Sequence, residues 1–266
     1  MIVTLLTDFG GAGEWVAAMK AVIRGIAPGA ELMDIAHDIP PFEIPKAALV
    51  LAAAVPYMPV GVHLAVVDPG VGTARKALGM RVARGDYLVG PDNGLLVPAA
   101  ARLGGVEEIV SLENPEYMLR PVHPTFHGRD VFSPAAAHLA CGLALEKLGP
   151  PLDPSILVPA PFEEAQEGRD ALYCRVIDVD RFGSLRLNAS WERLEESRLA
   201  EADRLTIDIA DVIYDCALHA TFGDSAGGLF LYHDSSGQVG IAANRARASD
   251  ITGALPGSAV FIYRPE

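Results

Sequence analysis

Apolar positions recur along the first half of the chain with two different periods. The run from Ile2 to Thr7 is short and continuous, and it precedes apolar residues spaced as on one helix face: Val16, Met19, Val22, Ile23 and Ile26. The first pattern predicts a strand and the second a helix packed on it. The same order continues in Glu31 to Ile35, Lys46 to Val55 and Val62 to Val67. Such a β-α-β-α-β order predicts an α/β amino-terminal domain with a largely parallel central sheet.

Ser133 and Pro134 predict the start of a further helix, because serine caps free amide groups and proline suits the first turn. We expect this helix to continue from Ala135 to about Lys147, where glycine and prolines follow. Residues 151–168 are rich in proline and acidic residues and predict a linker. The linker would separate a domain over residues 1–150 from a second domain over residues 169–266.

The pattern changes after the predicted linker to short segments with β-branched residues and intervening turns. The predicted strands are Leu172 to Val179, Ser184 to Leu187, Arg204 to Ile209, Gly228 to Tyr232, Val239 to Ala242 and Ala259 to Tyr263. Their length and spacing predict a smaller, mostly antiparallel β carboxy-terminal domain.

Charge and cysteine content narrow the classes of function. The formal net charge of −13 and the lack of Lys/Arg clusters argue against a nucleic-acid partner, because binding to phosphates needs cations. Three widely separated cysteines, Cys141, Cys174 and Cys216, argue against a disulfide scaffold or a zinc cluster. We expect a cytoplasmic protein without a membrane partner, since neither a signal peptide nor a long apolar segment is evident.

Polar residues concentrate in four segments that follow apolar runs, where open α/β sheets usually bind ligands. The segments are "TDFGG" at Thr7 to Gly11, "VVDPGVGTAR" at Val66 to Arg75, "VGPDNGLL" at Val89 to Leu96, and "PTFHGRDVFSPAAAHLA" at Pro124 to Ala140. Pro69, Gly70 and Gly72 impose a tight loop that can bring Asp68 and Arg75 together to polarise a water molecule.

Each of these residues also has a simpler interpretation. Asp68 could cap a turn and Arg75 could form a surface ion pair. A lone His127 would more often be structural, and Asp8 could cap the helix that begins near Glu14. Asn93, with Asp92, could equally be a turn former or a ligand contact.

Taken together, the motifs resemble one family over essentially the whole chain. They are "TDFG", "AHDIPPF", "VVDPGVGT.R", "GPDNGLL", "FHGRDVFSPAAAHLA", "IDVDRFGSL" and "IAANRA", in this order. The chain resembles the S-adenosylmethionine hydroxide adenosyltransferases, relatives of the fluorinases and chlorinases. The resemblance implies hydrolysis of S-adenosyl-L-methionine to adenosine and L-methionine, with no cofactor.

The resemblance also implies roles for individual residues. Asp68, Arg75 and His127 match the family's water-activating triad, and Asp8 matches the aspartate that binds the ribose hydroxyls. The other positions that the resemblance assigns to substrate binding are Phe42, Asn93, Asp180, Phe182, Ser184, Ser235, Asn244 and Arg245. By the same resemblance, the protein is a homotrimer with active sites between subunits.

Two departures from the family pattern concern binding. Ser184 stands where asparagine is usual after "DRFG", so a hydrogen bond to adenine is expected to be lost, shortened or replaced by water. Gly13 and Trp15 replace polar residues that the halogenating relatives place near the ligand. The triad is unaffected by either departure.

Three alternatives to the metal-independent hydrolysis of S-adenosyl-L-methionine remain at this point. A halogenase is disfavoured, because an anionic nucleophile beside Asp68 would be repelled and the fluorinases have tyrosines at the positions of Asp68 and His127. A non-catalytic adenosyl-ligand sensor is disfavoured by the complete triad. A metallohydrolase using His37, His123 and His127 with aspartates lacks any H-E-x-x-H arrangement.

The proton of the attacking water needs an acceptor. Arginine cannot accept a proton near neutral pH, so either Asp68 or His127 would take it.

Overall fold

The chain folds into two compact units. The computed structural model describes residues 1–168, 171–202 and 204–265, and the units are Met1–Pro161 and Phe162–Glu266. The two-domain organisation agrees with the sequence-based prediction. The predicted start of the second domain at residue 169 lies outside the described residues, and the linker over residues 151–168 stays a prediction.

A six-stranded sheet forms the centre of the first unit. Its strands are β1 (Ile2–Thr7), β2 (Glu31–Ala36), β3 (Gly61–Val66), β4 (Ala77–Val82), β5 (Tyr87–Pro91) and β6 (Val106–Ser111). The spatial order is β2-β1-β3-β5-β4-β6. Strand β1 pairs in parallel with β2 and β3, and β3 pairs in parallel with β5, whereas β4 is antiparallel to β5 and β6.

The sheet is therefore mixed, and the prediction of a largely parallel sheet is correct only in part. The difference arises between Ala77 and Ser111, where the sequence pattern assigned no strands. A tight turn at Gly85, with φ of +97°, joins β4 to β5. A connection this short permits only antiparallel neighbours, because parallel strands need a crossover of a dozen or more residues.

Helices cover both faces of this sheet. The first unit contains α1 (Glu14–Ile26), α2 (Ile44–Ala54), α3 (Val97–Arg102) and α4 (Ser133–Ala140). Residues of α1 and α4 share one apolar core with Val62, Leu64 and Val66, whereas α2 and α3 share another with Ala65 and Val67. Alternate side chains of β3 thus point to opposite cores. Asp68 follows the buried end of this strand by two residues.

Helix α4 differs from the prediction at both ends. A π-helical turn, Gly128–Phe132, precedes it, so Ser133 is already in helical conformation and does not cap the helix; its hydroxyl donates to the Gly128 carbonyl at 2.7 Å. The helix ends at Ala140 rather than near Lys147. Gly142 follows with φ of +88°, a left-handed conformation that terminates helices.

The described residues of the second unit form eight strands. They are β7 (Gln166–Glu167), β8 (Ala171–Val179), β9 (Leu185–Ser190), β10 (Arg204–Ile209), β11 (Val212–Leu218), β12 (Leu229–His233), β13 (Gln238–Ala243) and β14 (Ala259–Tyr263). Their order is β14-β10-β11-β12-β13-β9-β8-β7, and β14 also pairs with β8, which gives a barrel-like sheet. Two short helices, α5 (Trp191–Glu196) and α6 (Ala248–Thr252), accompany it.

The predicted antiparallel character of this unit is confirmed with one exception. Among the described strands, β11 and β12 pair in parallel, and β11 was not predicted. The core follows the two-residue period of the strands, as in β10, where Leu205, Ile207 and Ile209 are buried. Within the described ranges, none of the helices has the length and apolarity needed to span a bilayer.

Candidate active site

Asp68, Arg75 and His127 form one hydrogen-bonded cluster. Arg75 Nε lies 2.9 Å from each carboxylate oxygen of Asp68, and Arg75 Nη2 also donates to Oδ2 of Asp68. The same Nη2 lies 2.9 Å from Nδ1 of His127. The side chains of Asp68 and Arg75 are only 5% and 10% exposed, so bulk water screens this contact weakly. Three residues predicted to act together are thus in mutual contact through the guanidinium.

The loop from Asp68 to Arg75 is shaped by its glycines. The main-chain N–H of Val71 donates to the Asp68 carbonyl at 3.2 Å, and that of Thr73 to the Gly70 carbonyl at 3.1 Å. Gly72 has φ of +75°, and a Cβ there would lie 2.6 Å from the Pro124 carbonyl oxygen. Glycine at this position therefore permits the loop to approach the segment that carries His127.

Hydrogen bonds of Asp130 hold the segment around His127 in place. His127 immediately precedes the π-helical turn, a feature often found at functional sites. The buried Asp130 carboxylate accepts the His123 main-chain N–H at 2.8 Å and pairs with Arg129 at 2.6 Å. These bonds fix both the start of the segment and the turn that follows His127.

Burial and the neighbouring cation lower the pKa of His127. Desolvation disfavours the imidazolium, and the charge of Arg75 adds to this effect, while Asp68 and Asp130 oppose it. The guanidinium of Arg75 also lies over the ring of buried Phe132, with Cζ 5.1 Å from the centroid. The cluster therefore favours a neutral His127.

The hydrogen bond from Arg75 also fixes the tautomer of that neutral imidazole. A guanidinium nitrogen can only donate, so Nδ1 of His127 must be the acceptor at 2.9 Å. The single ring hydrogen of neutral His127 is then on Nε2. His127 consequently presents an N–H donor on the side of its ring that faces away from Arg75.

Asp8 and Phe42 are connected directly. Asp8 Oδ2 accepts the main-chain N–H of Phe42 at 3.0 Å, and Phe42 has φ of +70° with its side chain exposed. Asp8 does not cap α1, whose N-cap is Gly13 without a side-chain hydrogen bond. Non-glycine residues at positive φ are uncommon and often mark functional sites.

Aromatic contacts bring the Asp8 segment beside the His127 segment. The ring of Phe9 packs edge-on against Phe126 at 6.0 Å and against Trp15 at 6.2 Å. A Cβ on Gly128 would lie 3.3 Å from Phe9 and 3.4 Å from Phe126, so a small residue is needed there. The ribose-binding candidate and the triad therefore lie on adjoining loops of the first unit.

The side-chain amide of Asn93 forms hydrogen bonds with the main chain. Its Nδ2 donates to the Val67 carbonyl at 2.8 Å, and its Oδ1 accepts the Leu95 N–H at 3.2 Å. The turn interpretation of this residue is thus supported by two bonds. A contact between Asn93 and substrate stays a prediction.

In the second unit, several predicted residues line one cavity. Asp180, Phe182, Ser184 and Arg245 border a space of about 420 Å³, a size typical of pockets for small ligands. Asp180 Oδ1 accepts the N–H groups of Phe182 and Ser184, each at 2.8 Å, and so closes the turn between β8 and β9. Arg245 has φ of +56°.

The two remaining predicted residues of this unit, Asn244 and Ser235, are not among those that line the cavity. Asn244 adjoins Arg245, and its Nδ2 donates to the Ser225 carbonyl at 3.1 Å. Ser235 is exposed in the turn between β12 and β13. The structure therefore groups four of the six predicted residues of this unit around one space.

Sequence reasoning missed some residues that shape these sites. Phe222 and Arg247 line the cavity, and the stem of Arg247 packs where a Cβ on Gly183 would lie only 2.5 Å away. Phe132 lies under Arg75 in the first unit. The glycine in "DRFG" is the one local signal that indicated a close approach at this point. Over the described ranges, no group of three or more His, Cys, Asp or Glu side chains is arranged to hold a metal ion.

The fold and these residues define a class of two-domain protein. Its α/β unit carries a half-buried Asp–Arg–His cluster at the end of a central strand, and its β unit carries a cavity of the size of a small ligand. The family model of the SAM hydroxide adenosyltransferase N-terminal domain matches residues 3–149, and that of the C-terminal domain matches residues 174–261. The chain belongs to the SAM hydroxide adenosyltransferase family, as the sequence motifs predict.

Similar proteins agree with this assignment. A protein of Salinispora tropica named (R)-S-adenosyl-L-methionine hydrolase is 44% identical over 256 residues, which cover 96% of this chain and 95% of that protein. A crystal structure of an uncharacterized conserved protein from Thermotoga maritima is 36% identical, has a TM-score of 0.90, and covers 99% of this chain and 100% of its own. A fluorinase of Actinoplanes sp. is 25% identical, over 92% of this chain and 91% of the fluorinase.

Proposed function

We propose that this protein hydrolyses S-adenosyl-L-methionine to adenosine and L-methionine. The observation that carries the proposal is the half-buried, hydrogen-bonded cluster of Asp68, Arg75 and His127, a set of side chains that can orient one water molecule. The identity to the Salinispora tropica protein adds support, since that protein is named for the same reaction. That name specifies the R configuration, so the sulfonium configuration belongs to the proposal as well.

The chemistry is a displacement at C5′ of the ribose. Water forms the C–O bond while the C–S bond breaks, its electron pair stays on sulfur, and methionine leaves as a neutral thioether. One proton is released from the attacking water. The sulfonium already activates the carbon, so the protein needs to position the water in line and to accept its proton.

The hydrogen bonds support a separate task for each of the three side chains. His127 donates from Nε2 to the water oxygen and so orients it. Asp68 accepts the proton, because both nitrogens of neutral His127 are already engaged. The attacking water becomes much more acidic as the C–O bond forms, so a carboxylate suffices as acceptor. Arg75 holds the carboxylate and the imidazole at a fixed separation.

The substrate-binding roles follow the resemblance. Asp8 would accept hydrogen bonds from the two ribose hydroxyls, and Phe42 would contact the sugar. Asp180, Phe182, Ser184 and Arg245 share a cavity, which supports their assignment to the nucleoside and methionine. Ser235 and Asn244 complete the proposed set. The chemistry so described uses no cofactor.

The reaction is tested by incubating the protein with either sulfonium epimer in ¹⁸O-labelled water. We expect one ¹⁸O atom in the 5′-hydroxyl of adenosine and unlabelled methionine, with faster turnover of the R epimer. Parallel reactions with excess fluoride or chloride test halogenation. A halogenated nucleoside as main product, or binding without any cleavage, would overturn the proposal.

A matched variant links the activity to the cluster. Asp68→Asn removes the proton acceptor, whereas Asp215→Asn removes the acceptor of an exposed ion pair with Arg204 in the second unit. The first substitution is expected to abolish most adenosine release and the second to leave it unchanged. Equal activities of the two variants would contradict the assignment.

We also propose that the protein is a homotrimer whose sites combine the α/β unit of one subunit with the β unit of its neighbour. An Asp68→Ala chain and an Asp180→Ala chain would then each supply one intact half of a shared site. Mixing and reassembling the two inactive chains should restore part of the activity. A mixture as inactive as its components would exclude shared sites.

A further inference from the structure

One tight turn holds both ends of the loop that carries Asp68 and Arg75. Asn93 Nδ2 donates to the carbonyl of Val67, the residue before Asp68, at 2.8 Å. The main-chain N–H of Asp92 donates to the carbonyl of Lys76, the residue after Arg75, at 2.9 Å. Two consecutive residues thus bind the two carbonyls that bracket the catalytic loop.

The turn is itself firmly fixed. Asn93 Oδ1 accepts the Leu95 N–H at 3.2 Å, and Asp92 Oδ1 accepts the Val158 N–H at 3.0 Å. Gly94 has φ of +88°, and a Cβ on it would lie 2.2 Å from the Pro159 carbonyl oxygen. A turn with hydrogen bonds on both sides and a close approach to neighbouring main chain can serve as a rigid support.

The catalytic loop needs such a support because strand pairing ends before it. The last residue of β3 in the ladder with β1 is Val66, and the ladder with β5 ends at Leu64. Among the described residues, the hydrogen bonds to the Asp68 carboxylate come from Arg75, which lies on the same loop. The position of the pair relative to the sheet therefore depends on its flanking main chain together with the contacts of Arg75 with His127 and Phe132.

We propose that Asn93 is a positioning residue that sets the geometry of Asp68 and Arg75 through the Val67 carbonyl, with Asp92 holding the Lys76 carbonyl. This inference rests on the proposed hydrolysis for its catalytic consequence. Both polar groups of the Asn93 side chain already have main-chain partners. Loss of the clamp would displace the proton acceptor without removing a substrate contact.

Asn114 offers a matched control elsewhere in the same unit. Its Nδ2 donates to the Lys147 carbonyl at 2.8 Å, and its Oδ1 accepts the Glu116 N–H at 3.0 Å. The bond pattern is that of Asn93, but the segment it holds carries none of the triad. Asn93→Ala and Asn114→Ala therefore remove the same kind of bonds at two places.

The test measures kcat, KM and the pKa of His127 in both variants. For Asn93→Ala we expect kcat to fall about 10- to 100-fold with KM changed less than about twofold, since a misplacement near 1 Å costs about that much. The imidazole NMR titration should show a raised His127 pKa, because a displaced Arg75 no longer lowers it. Asn114→Ala should leave all three quantities as in the wild type.

A second variant distinguishes loss of the clamp from loss of the folded structure. Asn93→Ser retains an oxygen that can accept the Leu95 N–H but is too short to reach the Val67 carbonyl, and it should reproduce the loss in kcat. A rise in KM at unchanged kcat would show a substrate contact and overturn the inference, as would an unchanged kcat and His127 pKa in a folded Asn93→Ser protein. If the wild type releases no adenosine, the proposed function fails, and the His127 titration alone still decides the clamp.

Discussion

Replacing Arg75 tests the centre of the cluster, because its guanidinium contacts both of the other members. Arg75→Met keeps most of the side-chain volume but removes the cation, the fork to Asp68 and the bond to Nδ1 of His127. Arg75→Lys keeps the cation but has a single nitrogen, which cannot hold both partners. The two variants therefore separate the effect of charge from the effect of geometry.

The expected losses follow from the number of bonds removed. Hydrogen bonds to charged groups contribute about 1.5–3 kcal/mol each. Arg75→Met loses at least two such contacts around a carboxylate only 5% exposed, so kcat should fall about 10²- to 10⁴-fold. Arg75→Lys retains one contact, and a fall of about 10- to 100-fold is expected.

The pH dependence of kcat/KM tests the removal of the Arg75 cation independently. In the wild type, burial and the Arg75 charge lower the pKa of His127, so the imidazole stays neutral to lower pH. Without the cation, Asp68 and Asp130 raise this pKa relative to the wild type, and the acid limb of kcat/KM should move to higher pH. In Arg75→Lys the limb should move less.

The assay is adenosine release followed by chromatography between about pH 5 and 9, with the His127 titration followed by NMR. Circular dichroism checks that each variant is folded. The reasoning is refuted if Arg75→Met retains wild-type kcat, or if its acid limb stays in place or moves to lower pH.

Three further outcomes are expected. Asp68→Ala and His127→Ala should each lower kcat about 10²- to 10⁴-fold, and wild-type rates of adenosine release in both would exclude them from the chemistry. Gly72→Ala should lower both kcat and the melting temperature, because a Cβ would lie 2.6 Å from the Pro124 carbonyl at a residue with φ of +75° and would displace the loop; unchanged kinetics would contradict this. Asp86→Asn should lower the free energy of unfolding by about 3 kcal/mol near neutral pH in urea denaturation, and the deficit should shrink below about pH 4, whereas a deficit independent of pH would contradict it.

The last expectation comes from a buried network that the catalytic proposal does not use. Asp86 accepts hydrogen bonds from His63 at 3.0 Å, from Arg84 and from the Gly61 N–H, and His63 also contacts Thr4 at 2.9 Å. Burial alone would raise the pKa of Asp86, but the hydrogen bonds from Arg84 and His63 lower it overall. Its stabilising contribution is thus present above the ordinary aspartate pKa and is lost as pH falls through the lowered value.

Most of the secondary structure could be predicted where the hydrophobic pattern was regular. Strand β1 and strands β10 and β14 agree with the predicted ranges, and α1 buries Val16, Met19 and Ile23 as its period indicates. The β4–β5 hairpin could not be predicted in this way, because Gly79 and Arg81 interrupt its apolar pattern. The length of α4 was overestimated because the left-handed Gly142 was not recognised as a terminator.

The site could be predicted only as a set of residues. The spacing of Asp68 and Arg75 indicated that one loop could bring them together, and the family motifs added His127. The contact between Arg75 and His127 spans 52 residues and depends on the close approach of Gly72 to Pro124, which no local pattern reveals. The clamp at Asn93 is equally invisible in the sequence, since its side-chain amide donates to a main-chain carbonyl 26 residues away.

A crystal structure of the protein with adenosine and L-methionine would show directly whether Asp68 and His127 hold the attacking water. We expect the 5′-oxygen, or a water replacing it, to lie within hydrogen-bond distance of the Asp68 carboxylate and of Nε2 of His127, opposite the methionine sulfur. A nucleoside bound with C5′ remote from Asp68, or with His127 presenting no nitrogen to the 5′-oxygen, would contradict it.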